Sequence, residues 1–427
     1  MKLILNFVSK LGVDSVSRLI GFITLPLITR LLGPEGYGQF TYLFVILSYF
    51  GFFIDFGYIN YGTNKLCDKI DSRVVIGKII SLQIITAAFS FIVLLIVSYF
   101  FLESDKYILL VIFSATFISQ IFSIKYYYLA AGKLYFNSVS ELAGQLIYTA
   151  LIFIFFTSNP SVLFLIIISV IQSFVTAMFL YIPYSRNFKI RIDLSISKNI
   201  QTLKDAYKLG LASKAEAVTA SFIILCAGFF LNEESVGIYN ASYKIYVILL
   251  TVVQGVSFTL MPMLLKNVKN TDKGNIRRIS FIFYIYLFTG IMLFLPCFFF
   301  PEKIIEIVFG IKFMNSASIL KNFSFTILIW PTVMFMSLVI LAFNRLNYIL
   351  ITSLSSAFFS VIFSIVLIKS FGIQGAGYVL PFVAICTIAV SIHFLKRISS
   401  EENFRLRDLF SLIFAFREIN TILIKRK

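Results

Sequence analysis

Charge, histidine and tryptophan are scarce in this 427-residue chain. Only 13% of the residues are charged, 59% are hydrophobic, and there is one His and one Trp, whereas soluble domains average about 25% charged residues. The four cysteines show no paired spacing, so neither a disulfide framework nor a zinc site is predicted, and no other metal or cofactor is expected. A mean hydropathy of +0.93 excludes a soluble globular protein and indicates an integral membrane protein.

Apolar residues occur in runs of about 20, the length that crosses a bilayer as a helix. Backbone in contact with lipid must satisfy its own hydrogen bonds, so an all-α fold is predicted. The runs predict twelve spans: Leu11–Leu32, Phe40–Asn60, Ile79–Phe101, Tyr107–Tyr128, Ser138–Thr157, Val162–Ile182, Lys208–Leu231, Val236–Met263, Ile279–Phe300, Ser318–Phe343, Tyr348–Lys369 and Gly375–Leu395.

The basic residues predict the orientation of these spans. With an even number of spans both termini lie on one side, and most of the 37 Lys and Arg fall in loops and tails of that side. Loops rich in Lys and Arg stay in the cytoplasm, so cytoplasmic termini are predicted. The net charge of +17 is then a topology signal, and nucleic-acid binding is not expected. The opposite loops hold only Arg30, Lys106, Lys303, Lys312 and Lys369.

Two pairs of segments repeat along the chain. The turn at residues 33–38, where Pro34 is expected to end the first helix, matches residues 231–243, and "AGKLYF" (131–136) matches "FNRLNY" (343–348). We therefore predict two pseudo-symmetric six-helix bundles, residues 1–200 with a basic linker and 201–397, related by an axis along the membrane normal. Residues 398–427 are predicted to be a cytoplasmic tail, in which Leu409–Phe416 forms either an interfacial amphipathic helix or part of a partly ordered segment.

The segment "LITRLLGPEGYGQFTYLFVIL" (27–47) resembles the N-terminal region of Wzx-type flippases of bacterial polysaccharide synthesis. Those proteins belong to the multidrug/oligosaccharidyl-lipid/polysaccharide (MOP) exporter superfamily. Their pattern is a first helix, "R-x-L-G-P-x-x-Y-G", and a second helix rich in Phe, Tyr and Gly. The positions of that pattern are occupied by Arg30, Leu32, Gly33, Pro34, Tyr37 and Gly38.

The resemblance implies a MATE-like pair of bundles around a cavity in the bacterial cytoplasmic (inner) membrane. It also implies that an undecaprenyl-diphosphate-linked oligosaccharide of O-antigen or capsule type moves from the inner to the outer leaflet. Membrane lipids are expected partners, and a polysaccharide polymerase and a chain-length regulator are further candidates. Lipid II flippases of the superfamily carry two more helices, for which no room is expected after Leu395.

Ionisable residues inside spans are costly and favour a cavity or a partner. Asp14 and Arg18 are four residues apart, hence on one helix face, where they would form either a structural ion pair or a diphosphate contact with Asp14 beside it. Lys214 and Lys244 are further candidates for diphosphate contact. Lys321 is one as well, although it could equally extend to lipid headgroups.

Asp14, Glu141 and Glu216 are candidates for ion coupling. The alternatives for the two glutamates are pairing with Lys214 or exposure at the inner interface, as expected for Asp55. Pro26 is a hinge candidate or an ordinary kink. The three tyrosines at 126–128 either stack on sugars or form part of an interfacial aromatic belt.

Two other function classes compete with a flippase. A membrane enzyme of glycan assembly would be expected to carry a large outer loop with catalytic groups, and the longest predicted outer loop is only Pro301–Ala317. An ion-coupled drug/cation antiporter of the same superfamily is the serious alternative. It would need an acidic cavity, against which Lys214 and Lys244 argue.

Overall fold

The computed structural model of the protein describes residues 2–68, 70–186, 196–268, 273–402 and 405–411. All regular structure in these ranges is helical, which confirms the all-α prediction. A π-helical turn covers Ile152–Phe156 and a 3-10 turn covers Ile311–Phe313. The α-helices are α1 Lys2–Ile54, α2 Tyr58–Cys67, α3 Ser72–Phe101, α4 Ser104–Phe113, α5 Thr116–Ile121, α6 Lys125–Ala130, α7 Leu134–Leu151, α8 Val162–Ser185, α9 Ile196–Phe230, α10 Glu233–Val268, α11 Lys273–Phe299, α12 Pro301–Phe309, α13 Ser316–Ala342, α14 Leu346–Glu401 and α15 Leu406–Leu409.

Nine helical segments of the described chain are long and apolar enough to cross a membrane, so the protein is a multi-pass membrane protein. Two of them, Val16–Cys67 and Leu346–Glu401, are 52 and 56 residues long, whereas one crossing needs about 20 residues. The helices α1 and α14, which make up most of these two segments, each contain one glycine with non-helical dihedral angles, Gly33 (φ 69°) and Gly372 (φ 57°). The count of twelve spans stays a prediction.

The break in α1 differs from the one expected at Pro34. Gly33 carries the positive φ, and helical structure resumes at Pro34. Proline suits the start of a helix because its fixed φ is helical and the first amides of a helix have no partner within it. Gly33 therefore makes the turn, and Pro34 begins the following helical segment.

Contacts divide the chain into two compact units, Met1–Lys214 and Ala215–Lys427, with the boundary inside α9. In the first unit α1 packs on α3 and α7, and α7 packs on α8. Its core includes Leu43, Tyr58 and Phe113. In the second unit α13 packs against α10, α11 and α14, around a core that includes Phe335.

The two segments "AGKLYF" and "FNRLNY" adopt the same turn, one in each unit. Gly132 and Asn344 have positive φ angles of 66° and 59°. The next backbone amide donates five residues back in both cases, from Lys133 to the Tyr128 carbonyl (2.9 Å) and from Arg345 to the Ile340 carbonyl (3.2 Å). The sequence match at an offset of 212 thus corresponds to one local geometry, which begins α7 and α14.

The predicted second and fourth spans are not continuous helices. The fourth consists of α4, α5 and α6, and the second stops at Ile54 and resumes at Tyr58 after Gly57, whose φ is 84°. A Cβ on Gly57 would lie 2.1 Å from the Ala206 carbonyl oxygen and 2.6 Å from the Gly210 nitrogen. Glycine is needed here because the backbone of α9 passes so close.

Both interpretations of the tyrosine cluster at 126–128 are wrong for two of its members. Tyr126 is 1% exposed and Tyr128 is 3% exposed. The Tyr128 hydroxyl donates to the Leu180 carbonyl at 2.8 Å, and Tyr127 packs edge-on against Tyr184 with ring centroids 4.7 Å apart. These rings build the core of the first unit instead of facing headgroups or a sugar.

Two predicted loop regions carry structure. The expected outer loop Pro301–Ala317 contains α12 and the 3-10 turn. In the tail, Tyr284 donates to the Phe410 carbonyl at 2.9 Å, and the ring of Phe410 packs on Phe283. The described start of the tail therefore packs on α11, and most of the expected interfacial helix Leu409–Phe416 lies outside the described residues.

Candidate functional site

A polar cavity of about 380 Å³ lies within the first unit, among α1, α7 and α8. Polar and ionisable groups inside a membrane protein are expensive to bury, so a cluster of them is a functional-site hypothesis. The lining residues are Asp14, Ser17, Arg18, Gly21, Glu141, Gln145, Gln172 and Thr176.

Helix periodicity and one close contact between helices build this cavity. Side chains four residues apart share a helix face, which aligns Asp14 with Arg18 on α1 and Glu141 with Gln145 on α7. A Cβ on Gly144 would lie 2.2 Å from the Thr176 Oγ1. The missing side chain lets α7 and α8 approach closely, as small residues do in membrane helix packing.

Hydrogen bonds between side chains connect the three helices. The Gln172 Nε2 lies 3.3 Å from the Gln145 Oε1, and the Gln145 Nε2 lies 3.4 Å from the Thr149 Oγ1. The Thr149 Oγ1 is in turn 3.0 Å from the Thr24 Oγ1 on α1. We call these four side chains the amide–hydroxyl chain. It holds the polar faces of α1, α7 and α8 in register at one side of the cavity.

Asp14 and Arg18 both line the cavity, but within the described residues neither forms an ion pair or a side-chain hydrogen bond. The structural ion pair considered for them is therefore not formed in this structure. Arg18 is exposed and Asp14 is partly exposed, so both charged ends can reach a molecule in the cavity.

Glu141 has a partner that the sequence did not suggest. Its Oε1 lies 2.8 Å from the Nζ of Lys125 at the start of α6, and both side chains are partly exposed. The alternative of pairing with Lys214 is wrong. Lys125 lies three residues before the end of the predicted fourth span and is not among the candidates named from the sequence.

Lys214 instead lies 3.9 Å from the Asp55 Oδ2, and its Nζ is 4.9 Å from the centroid of the Phe52 ring. It does not line the polar cavity. The Asp55 side chain is 32% exposed and pairs with Lys214, and its expected place at the inner interface stays a prediction. Asp55 lies in the interruption between α1 and α2, next to Gly57, and Lys214 on α9 is its partner.

The remaining candidates belong to the second unit. Lys244 and Glu216 are exposed, and neither has an ion pair or hydrogen bond to another described residue. The Lys321 Nζ is 5.1 Å from the centroid of the Phe298 ring. Lys321 also lines a second cavity, of about 630 Å³, together with Lys303 and other residues at the ends of α11 and α13.

Pro26 leaves α1 helical, and the non-helical angles in that helix occur at Gly33. The Thr29 hydroxyl lies 3.1 Å from the carbonyl oxygens of Leu25 and of Pro26. A hinge motion at Pro26 stays a prediction. Across the described ranges, no three His, Cys, Asp or Glu side chains are grouped so as to hold a metal ion.

The structure thus brings Asp14, Arg18 and Glu141 together. It adds polar side chains that the sequence did not single out: Ser17, Gln145, Gln172 and Thr176 in the lining, and Thr24 and Thr149 through hydrogen bonds. The signal was available in α7, where Glu141, Gln145 and Thr149 recur every fourth residue within an apolar run. Gln145 and Thr149 are uncharged, so the criterion of ionisable groups within spans does not include them.

Comparison with solved structures shows the fold. Over 99% of this chain and 92% of the other, the protein is similar to the lipid II flippase MurJ in its inward closed conformation, with a TM-score of 0.75 and 14% identity. It is also similar to an inward-facing MATE multidrug resistance transporter of the MOP superfamily, with a TM-score of 0.68, 14% identity and 92% and 98% coverage. The predicted all-helical, MATE-like fold is confirmed, whereas the orientation of the termini stays a prediction.

Sequence comparison identifies the family. A capsular polysaccharide biosynthesis protein, CapF of Staphylococcus aureus, is 23% identical over 92% of this chain and 99% of its own length. A proposed O-antigen transporter of Escherichia coli K12 is 22% identical over 55% of this chain and 58% of its own. The model of the polysaccharide biosynthesis protein family matches residues 3–268, more than half of the chain. The protein therefore belongs to the polysaccharide biosynthesis protein family.

Proposed function

We propose that the protein is a flippase of the bacterial cytoplasmic membrane. It moves an undecaprenyl-diphosphate-linked oligosaccharide repeat unit, of O-antigen or capsule type, from the inner to the outer leaflet by alternating access. Membership of the polysaccharide biosynthesis family and the names of the two relatives support this substrate class. A transporter needs no catalytic group, so we propose that the protein is not an enzyme.

The observation that carries the proposal is Arg18, an exposed arginine in a polar cavity with no carboxylate within ion-pair distance in the described chain. Arginine suits a diphosphate because its planar guanidinium can donate to two oxygens at once. A cation without a protein partner in a membrane is costly, which favours a role in binding an anion that enters and leaves.

The other cations supply weaker contacts in this proposal. Lys244 is exposed and has no partner in the described chain, whereas Lys214 is held by Asp55 and Lys321 lies over Phe298. Several moderate sites serve transport better than one deep site, because the substrate must also be released. Lys244 is therefore the preferred second contact, and Lys214 and Lys321 rank below it.

Ion coupling is assigned in the same way to the carboxylates. Glu141 is neutralised by Lys125 at 2.8 Å, whereas Asp14 and Glu216 have no partner among the described side chains. Asp14 is the best candidate because it shares the cavity with Arg18, so that its protonation or ion binding would change the field around the guanidinium.

The charge of the cavity also bears on the alternative of a drug/cation antiporter. Two acids line it, which favours a cationic substrate, but Lys125 offsets Glu141 and Arg18 offsets Asp14. The cavity is therefore not acidic overall, and the flippase is the better supported function.

The architecture we propose has twelve spans in two six-helix bundles, residues 1–200 and 201–397, with both termini and residues 398–427 in the cytoplasm. Residues at the break in α1 would then face outward. A membrane-impermeant thiol reagent should label Gly36→Cys from outside the cell and leave Lys189→Cys unlabelled. The opposite result would reverse the orientation.

Deletion of the gene tests the function directly. We expect complete lipid-linked repeat units to accumulate on the inner leaflet, and surface glycan to disappear until the gene is restored. A polysaccharide polymerase and a chain-length regulator are the proteins expected to act after it. Normal surface glycan with altered sensitivity to cationic drugs would favour the antiporter instead.

A further inference from the structure

The amide–hydroxyl chain has a single direction. The Thr24 hydroxyl donates its one proton to the Ile20 carbonyl at 2.8 Å, so it can only accept from Thr149. Thr149 spends its proton on Thr24 and therefore accepts from the Gln145 amide. The Gln145 carbonyl then accepts from the Gln172 amide. Each donor points from α8 through α7 to α1.

This direction determines the orientation of each side-chain amide, that is, where its nitrogen and its oxygen lie. Gln145 must present its nitrogen to Thr149 and its oxygen to Gln172, because the reverse would leave Thr149 with two acceptors and one proton. The chain ends on a backbone carbonyl, which cannot release a proton, so it does not conduct protons. Its effect is to hold two amides in a defined orientation at the wall of the cavity.

Both amides keep unused bonding capacity at that wall. A side-chain amide offers two donors and a carbonyl that can accept twice. The chain uses one donor of Gln172, and one donor and one acceptor position of Gln145, and the described residues provide no further side-chain bond to either amide. Leaving such groups without polar partners in a membrane interior is costly. They therefore favour a ligand that carries both donors and acceptors.

Arg18 and the amides lie on one path along α1. Gly21 lines the same cavity, and a Cβ there would be 3.6 Å from the Gln145 Nε2. Arg18 precedes Gly21 by three residues, so both lie on one helix face about 5–6 Å apart. A ligand in contact with the amides is therefore within one helical turn of the position of Arg18 on α1.

We propose that Gln145 and Gln172 form a sugar-binding subsite next to Arg18, which recognises the first sugar attached to the diphosphate through its hydroxyl or acetamido groups. The inference rests on the proposed function, because Arg18 is taken to hold the diphosphate. Neutral amides match the paired donors and acceptors of a sugar, whereas a metal or organic cation would be held by carboxylates and a lipid tail would need an apolar wall.

The test measures the affinity of the purified full-length protein for two probes in lipid nanodiscs. The probes are undecaprenyl diphosphate and undecaprenyl diphosphate linked to a single N-acetylglucosamine. We expect the sugar-bearing lipid to bind about tenfold more tightly, as two added hydrogen bonds allow. Gln172→Met should reduce this preference at least threefold and leave the affinity for the bare lipid within about twofold.

Gln172→Met is chosen because Gln172 only starts the chain, so the bonds from Gln145 to Thr149 and on to Thr24 can persist. Gln145→Leu should remove the preference completely but interrupts the chain, so its thermal unfolding is measured alongside. The matched control is Gln83→Leu, which changes a buried amide on α3 that does not line the cavity. It should leave the preference unchanged.

The outcomes separate the subsite from the function. Arg18-dependent binding of both lipids with equal affinity would overturn the subsite and leave the proposed function in place. Full preference in a folded Gln172→Met protein would overturn it as well. If the wild-type protein binds neither lipid, the proposed function fails, and the subsite fails with it.

Discussion

The same turn begins α7 in the first unit and α14 in the second, but the helices that follow carry different side chains. At the offset of 212, Glu141, Gln145 and Thr149 on α7 correspond to Ser353, Ala357 and Val361 on α14. On α8, Gln172 and Thr176 correspond to Ala384 and Ile388, which lie on α14 after Gly372. The backbone geometry repeats and the polar face does not.

On α14 the second unit uses its buried serines for packing. On α14 the Ser360 hydroxyl donates to the Thr219 carbonyl at 2.7 Å, and the Ser364 hydroxyl donates to the Ser360 carbonyl at 2.6 Å. These side chains are buried and satisfied by backbone. The comparison teaches that a repeated scaffold can hold a polar site in one copy and an ordinary helix contact in the other.

The largest effect is expected at the charge of the first unit's cavity. Arg18→Ala should abolish surface glycan while the protein still inserts, because the proposed diphosphate contact loses its cation. Arg18→Lys should keep part of the activity, since the charge remains but the two-pronged contact is lost. Surface glycan and protein level in the membrane are measured together.

The double variant Asp14→Ala with Arg18→Ala separates two roles of the arginine. If it exports more glycan than Arg18→Ala alone, the arginine serves mainly to neutralise Asp14. No improvement is the result expected for a substrate contact. Lys106→Ala is the control, because Lys106 lies outside the cavity and pairs with Glu103 at 3.0 Å.

A similarly large effect is expected at one position of the second unit. Lys244→Ala should also abolish surface glycan at normal expression, because the diphosphate needs a positive charge along its way. Full export by this variant would limit the cationic contacts to the first unit. The two units would then differ in their role in transport as well as in their side-chain packing.

An intermediate effect is expected when one unit receives the residue of the other. Gly144 corresponds to Ser356 at the offset of 212, and a Cβ at Gly144 would meet the Thr176 Oγ1 at 2.2 Å and the Gln172 carbonyl oxygen at 3.2 Å. Gly144→Ser should push α7 from α8 and cost about 1–3 kcal/mol of stability. Thermal unfolding in detergent measures it.

The reverse exchange, Ser356→Gly, should cost only about 1 kcal/mol, because it removes a small buried side chain and adds backbone freedom within a helix. Equal losses of stability in the two variants would mean that α7 and α8 are packed no more tightly than the corresponding parts of α14, before and after Gly372.

The smallest effect is expected at the shared turn. Gly132→Asn should change the unfolding temperature little, because Asn344 already adopts the same left-handed conformation and, within the described structure, a Cβ at Gly132 has no heavy atom within 4 Å. Gly132→Val should cost about 1–3 kcal/mol, since a β-branched residue is strained there. If Gly132→Val leaves the unfolding temperature unchanged, the left-handed turn is not required for stability.

The amino-acid sequence alone predicts the elements that depend on local causes. Long apolar runs fix membrane-crossing helices because lipid offers the backbone no hydrogen bonds. The match of 131–136 with 343–348 located a turn that depends only on neighbouring residues. The spacing of Asp14 and Arg18 placed both on one face of α1, and the cavity lies on that face.

Which helix each face contacts becomes known only from the packing of the helices in the folded protein. Helix periodicity states which side chains of one helix lie together, but not their neighbours on other helices. The pairs Lys125 with Glu141 and Asp55 with Lys214 therefore had to come from the fold, as did the contact of Gln145 with Gln172. That contact requires α7 and α8 to approach at Gly144, a consequence of packing that no spacing within a single helix encodes.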